Sequence, residues 1–169
     1  MKPPIGIVGA GTMGAGIAQV AAVAGHPVTL FDAVPGAAGR AVGSIRQRVE
    51  SLVAKGKLDL DPRSLDFTQA GTLADLAPAG VLVEAVVEDL EAKRRLFAEL
   101  EDVVGDECVL ATNTSSLSPT ALAAGLRHPQ RLVGMHFFNP VPLMRLVEVV
   151  PGLATSDGVV AAVSDLAGS

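Results

Sequence analysis

Ile5-Gly6-Ile7-Val8-Gly9-Ala10-Gly11-Thr12-Met13-Gly14 is the stretch on which the reading of this chain turns. Ile5 to Val8 is short and apolar, as a buried strand is. Met13 to Ala24 follows as a helix, closed by Gly25. Between them lies G-x-G-x-x-G, which carries weight because a strand precedes it and a helix follows. In that setting each glycine has its own duty. Gly9 permits the tight turn, Gly11 lets a pyrophosphate approach the backbone, and Gly14 lets the helix pack closely on the strand. Thr12 and Met13 open the helix, whose unpaired N–H groups and partial positive charge suit phosphates.

The next strand, Val28 to Phe31, ends in Asp32, about 20 residues past the first glycine. A carboxylate there accepts hydrogen bonds from adenosine ribose hydroxyls and repels a 2′-phosphate. No arginine or lysine follows it directly, so NAD is favoured over NADP. FAD satisfies the same pattern, and a glycine-rich turn beside a surface aspartate is the plainer alternative.

Farther out, apolar runs alternate with amphipathic stretches. Strands are expected at Leu65 to Thr68, Val81 to Val87 (interrupted only by Glu84), Val109 to Thr112, Leu132 to Phe137 and Leu146 to Val150. Helices are expected from Ala37 to Lys57, though Gly39 and Gly43 weaken it, and from Leu90 to Val104. Ser118-Pro119 opens another as cap and first-turn proline, running to Leu126. This alternation implies βαβ units, an α/β class and a mostly parallel sheet covered on both faces. Such sheets place ligands at the carboxyl ends of their strands. From Thr155 to Ser169 a last helix begins, capped by Thr155 or Ser156. Its apolar face of Val159, Val160, Val163 and Leu166 is expected to have nothing to lead into, as though the chain were cut short.

Length and composition narrow the class. The 169 residues suit one domain, and 49% hydrophobic against 18% charged residues excludes a mostly disordered chain. The net charge of −5, 3% aromatics and absence of Trp and Tyr argue against a nucleic-acid binder. A single cysteine makes no intrachain disulfide, no apolar run is of spanning length, and the glycine motif starts too early for a signal peptide. The expected setting is reduced, soluble and cytoplasmic. No cluster has metal-ligand spacing. His26, in a Gly-His-Pro turn, and Cys108, at the start of a strand, read as structural, and His128 as a loop residue.

Three further segments end predicted strands: Thr112-Asn113-Thr114-Ser115-Ser116, His136-Phe137-Phe138-Asn139-Pro140, and Glu148 within Leu146 to Val150. Oxidation of an alcohol by NAD needs a base for the hydroxyl proton, and His136 suits that. A buried acid such as Glu148 would orient the ring, and Ser115 and Asn113 could hold the substrate oxygen. Taken singly, each has a plainer reading: a structural histidine, a Ser/Thr turn, a water-facing glutamate on an edge strand. Together they point to a dehydrogenase.

These segments, with the His136 to Pro142 run, resemble the NAD-binding domain of L-3-hydroxyacyl-CoA dehydrogenases, of the 3-hydroxybutyryl-CoA type. The resemblance covers nearly the whole chain. It implies a Rossmann-type doubly wound sheet over residues 1–169, NAD as cofactor, and oxidation of an L-3-hydroxyacyl-CoA to the 3-oxoacyl-CoA. It implies His136 as base paired with Glu148, Ser115 on the substrate oxygen, and Asn113 lining the pocket. Glu88 and Lys93 would contact the ribose and nicotinamide side of the cofactor; read without the family they form a charged first helical turn. Ser44, Arg48, Lys55 and Lys57 would approach coenzyme A from a segment that also holds Arg40 and Arg46; a solvated helix face competes with that reading. The family continues into a mostly helical second domain with dimer contacts and a further catalytic asparagine, absent from this sequence. NAD binding with little turnover is therefore expected of this chain alone, with apolar surface exposed; full-length forms are expected to be homodimers. A non-catalytic NAD-binding module and a sugar-acid dehydrogenase are the competing readings.

Overall fold

The computed structural model describes residues 2–168. In chain order its elements are β1 (Ile5–Val8), α1 (Thr12–Val23), β2 (Val28–Phe31), α2 (Ala37–Ala54), β3 (Phe67–Gln69), β4 (Val81–Glu84), α3 (Leu90–Val103), β5 (Val109–Thr112), α4 (Pro119–Ala123), β6 (Leu132–Phe137), β7 (Val147–Pro151) and α5 (Asp157–Ala167). The strands form one sheet in the order β3-β2-β1-β4-β5-β6-β7. Every neighbouring pair is parallel except β6 with β7. The order reverses between β1 and β4, so the glycine turn after β1 opens at the switch point of a Rossmann-type sheet.

Alternation along the strands sorts side chains to two faces. Ile7, Val83, Ala111 and Val133 face one layer, where Ile17 of α1, Ile45 of α2 and Val163 of α5 meet them. Val8, Leu82, Leu110 and Leu132 face the other, against Phe97 and Leu100 of α3 and Leu122 of α4. In α2, burial of Val42, Ile45 and Val49 at about 1.5–3 kcal/mol each outweighs the roughly 1 kcal/mol cost of each glycine.

Several expected boundaries shift for local reasons. Helix α2 stops at Ala54, because Gly56 takes φ +65°. A 3-10 turn at Pro62–Ser64 holds back the third strand, which starts at Phe67. Strand β4 ends at Glu84, whose side chain accepts the Val86 N–H at 2.7 Å and turns the chain. Helix α4 ends at Ala123, with Ala124 extended and Gly125 at φ +95°.

The last helix departs from expectation. It is capped by Ser156, and its apolar face has somewhere to go: Val163 is fully buried, and Val159 and Leu166 pack with it against the sheet. The antiparallel turn of β7 brings the chain back over the face that α1 covers. Ser169, at the end of the expected helix, lies outside the described residues. The exposed large apolar side chains among the described residues are instead Val34, Val87, Leu143, Met144, Leu146, Val150 and Leu153.

Candidate active site

The turn after β1 is built as its glycines require. Gly9 has φ +105°, and a Cβ there would sit 2.5 Å from the Ala85 carbonyl oxygen. Gly14 differs from expectation in what it accommodates. A Cβ there would lie 1.8 Å from the Gly9 oxygen, so the close approach is helix to turn more than helix to strand. At Gly11 a Cβ would meet nothing within 4 Å. Gly11 is also the N-cap of α1 and brings no side-chain cap, so the N–H groups of Thr12, Met13 and Gly14 have no partner among the described residues. Open space over unpaired N–H groups at a helix start fits a pyrophosphate. Asp32 stands beside this turn, accepting from Ala10 N–H at 2.7 Å and Val34 N–H at 2.8 Å. Its carboxylate keeps lone pairs for ribose hydroxyls.

From the turn, a cleft of about 340 Å³ runs along the strand ends, lined by Met13, Glu88, Lys93, Asn113, Ser115 and His136 among others. Strand parity sets three polar side chains at these strand ends, of which His136 lines the cleft while Glu84 and Thr112 are fully buried. Glu84 follows Leu82, Thr112 follows Leu110, and His136 follows Gly134 and Leu132, each two residues on and so on the α3 face. At this end the apolar layer gives way to chemistry.

Lys93 is not the solvated first-turn charge that local reading suggests. It is fully buried, with Nζ 2.9 Å from both Glu84 Oε1 and Glu88 Oε2. An uncompensated buried ammonium costs several kcal/mol, so the buried Glu84 opposite is what makes this placement tenable. Glu84 also accepts from Thr112 Oγ1 at 2.7 Å. Glu84, Thr112 and Thr114 had no role assigned from the sequence. Their one signal was an acid inside an otherwise apolar strand.

Glu88 is more open, with 38% of its side chain exposed. It accepts from Thr114 Oγ1, from Ser116 Oγ at 3.3 Å and from Lys93. Partial burial alone would raise its carboxyl, but the Thr114 hydroxyl, the Lys93 ammonium and the Ser116 N–H outweigh that and hold it at about 2. A folded-state value below the ordinary 4.5 contributes stability that is full above about 4.5 and is lost as pH falls toward 2. Urea denaturation between pH 5 and 2 should therefore lose less stability in Glu88→Gln than in the unaltered chain; parallel curves would remove Glu88 from that role.

His136 and Glu148 stand directly opposite each other in the antiparallel β6–β7 ladder, which puts both side chains on one face. His136 Nδ1 lies 2.8 Å from Glu148 Oε2. A carboxylate only accepts, so Nδ1 carries the proton and Nε2 is left as the basic nitrogen. The Phe138 ring tilts against the imidazole, with centroids 4.6 Å apart. One expectation needs correction: Glu148 is not buried, its side chain being 52% exposed, because β7 is the edge strand of the sheet. Asn113 accepts the Phe137 N–H on its Oδ1 at 2.8 Å, tying the ends of β5 and β6. Its NH₂ remains free to donate among the described residues. Ser115 lines the same cleft.

The residues matched to coenzyme A are not brought to this cleft. Ser44 and Arg48, on α2, and Lys55 and Lys57, just past its end, are all exposed, and α2 packs beside β3, several strands from β6. Arg46 is held in place, bonding the Leu65 carbonyl oxygen at 3.2 Å and lying over the Phe67 ring. Arg40 leans on the Pro35 oxygen at 3.4 Å. Among the described residues no helix is long and apolar enough to cross a membrane, and no group of three or more His, Cys, Asp or Glu is placed for a metal ion.

A family model described as the NAD binding domain of 3-hydroxyacyl-CoA dehydrogenase matches residues 4–169. The chain belongs to the 3-hydroxyacyl-CoA dehydrogenase family. A 3-hydroxyadipyl-CoA dehydrogenase of Escherichia coli K12 is 46% identical over 165 residues, 96% of this chain and 35% of that protein. A 3-hydroxybutyryl-CoA dehydrogenase of Mycobacterium tuberculosis is 42% identical over 169 residues, 96% of this chain and 58% of that protein. The crystal structure of 3-hydroxybutyryl-CoA dehydrogenase from Escherichia coli K12 superposes with TM-score 0.94 at 44% identity, covering 99% of this chain and 36% of that one. The chain thus spans between about a third and three-fifths of the length of these family members.

Proposed function

We propose that residues 1–169 form the cofactor domain of an NAD-dependent dehydrogenase that oxidises the 3-hydroxyl of an L-3-hydroxyacyl-CoA. The observation that carries this reading is the His136–Glu148 contact of 2.8 Å, with His136 lining the same cleft as Met13 at the start of α1. When bound, NAD supplies the acceptor for the hydride. His136 Nε2 takes the hydroxyl proton, and Glu148 holds the ring through Nδ1 and stabilises the charged imidazolium. The Asn113 NH₂ and the Ser115 hydroxyl hold the substrate oxygen. Thr12, Met13 and Gly14 bind the pyrophosphate through N–H groups, and Asp32 the adenosine ribose. Lys93 and Glu88 face the nicotinamide ribose. Coenzyme A lies toward the open cations Arg48, Lys55 and Lys57, with Ser44 nearby. In this reading the full-length form is a cytoplasmic homodimer, joined through the portion that this chain does not span.

The test is NADH consumption with acetoacetyl-CoA. The chain alone should bind NADH in calorimetry yet turn over little. Joined to the portion of the Mycobacterium tuberculosis relative that it does not span, it should consume NADH. No consumption by the joined form refutes the proposal. In the same calorimetry NADPH should bind about 100-fold more weakly than NADH, because Asp32 repels the 2′-phosphate. Equal affinities would take Asp32 out of the site.

A further inference from the structure

The last residue of β4 points to a role that neither the glycine turn nor the His136 pair accounts for. Glu84 is fully buried, yet both of its oxygens are committed. Oε1 accepts from the Val86 N–H at 2.7 Å and from Lys93 Nζ at 2.9 Å, and Oε2 accepts from Thr112 Oγ1 at 2.7 Å. Its own backbone oxygen accepts the Asn113 N–H at 2.9 Å. One residue thus joins the ends of β4 and β5 to the first turns of α3. The fold alone does not require a carboxylate here, since an apolar residue would continue the layer of Leu82 and Leu110. What the carboxylate adds is a fixed anchor for one ammonium at the cleft.

That ammonium has two unlike partners. Glu84 is sealed off, whereas Glu88 is partly open to solvent on the cleft side. Two of the three N–H donors of Lys93 are taken, and Lys93 itself lines the cleft with Asn113, Ser115 and His136. We infer that Glu84 is the positioning residue for the cofactor side of this cleft. It holds Lys93 by a bond that no ligand can reach, while Glu88 is the partner that Lys93 exchanges for a ribose hydroxyl. The inference rests on the reading of the cleft as the seat of a nicotinamide nucleotide. A lysine anchored at one point can turn toward a ligand without collapsing onto the carboxylate beside it.

Two readouts on the 169-residue chain test this. NADH affinity is measured by calorimetry. The hold on Lys93 is read without any ligand as a sharp ammonium resonance in ¹⁵N-lysine NMR, assigned by its loss in Lys93→Met. Glu84→Gln keeps the shape and removes the charge. Glu84→Asp keeps the charge and draws the oxygens back by about one C–C bond, ~1.5 Å, and it carries the test if the amide variant fails to fold. Each folded variant should weaken NADH at least about tenfold and broaden the Lys93 resonance beyond detection. In the Lys93→Met background the same changes should alter affinity by no more than about twofold, a non-additivity that general loosening of the fold does not produce. A folded Glu84 variant that binds NADH as the unaltered chain does, keeps the resonance sharp, or loses as much affinity in the Lys93→Met background overturns the inference. If the unaltered chain fails to bind NADH, the nucleotide reading falls with it. A resonance that persists without Glu84 overturns the inference and leaves the nucleotide reading standing.

Discussion

Replacing His136 with glutamine is expected to lower NADH-dependent reduction of acetoacetyl-CoA by about 10²–10⁴-fold in the joined form, while NADH affinity stays within about twofold. The geometry separates the two effects. His136 belongs to β6 and bonds to Glu148 on β7, whereas the glycine turn proposed to hold the pyrophosphate follows β1. Glutamine fills a similar volume and can still bond Glu148, but it has no nitrogen able to accept a proton near neutral pH. Loss of turnover with cofactor binding intact is therefore the signature of a base. A variant with more than a tenth of the original rate would refute that role. Glu148→Gln should cost less, because the edge position of β7 leaves that carboxylate half-exposed and its charge partly screened by water.

Gly14→Ala should lower stability by about 2–4 kcal/mol in urea denaturation, and cofactor binding should be lost with the turn. The added methyl would sit 1.8 Å from a backbone oxygen of Gly9 and 2.9 Å from the carbonyl carbon. Neither belongs to a side chain that can swing away, so the turn itself must move. Gly11→Ala is the informative contrast. Its methyl meets nothing within 4 Å, so stability should change by no more than about 1 kcal/mol, the cost of alanine in place of glycine at an N-cap. NADH affinity should nevertheless fall by about tenfold or more, because the space that the methyl enters is the space assigned to the pyrophosphate. Undiminished affinity in Gly11→Ala would empty that space of the cofactor.

Much of this was legible in the residues themselves. β1, β2, β5 and β6 lie where short apolar runs place them, and α1 and α3 fall within a residue of their expected ends. The glycine turn was legible because its demands are local: a positive φ at Gly9, no room for a side chain at Gly14, a helix start just beyond. The position of Asp32 just past β2, beside the turn after β1, was legible because β2 follows the first helix as a short apolar run. The docking of the last helix was not. Whether Val163 is buried depends on where the antiparallel β7 returns the chain, and no pattern within the helix states that.

Periodicity, caps and glycines by themselves determined the element order, the sheet class and the cradle after β1, because each is set by dihedral preference and side-chain spacing over a few neighbouring residues. Only the tertiary structure decided which charges became partners. Lys93 looks like any first-turn lysine until α3 docks on the sheet and lowers its ammonium onto Glu84. His136 and Glu148 meet because the β6–β7 register sets them opposite, and a slip of one residue would point them to different faces. Those contacts join segments that the chain must fold to bring together, so their energy resides in the packed arrangement and in no single stretch of sequence.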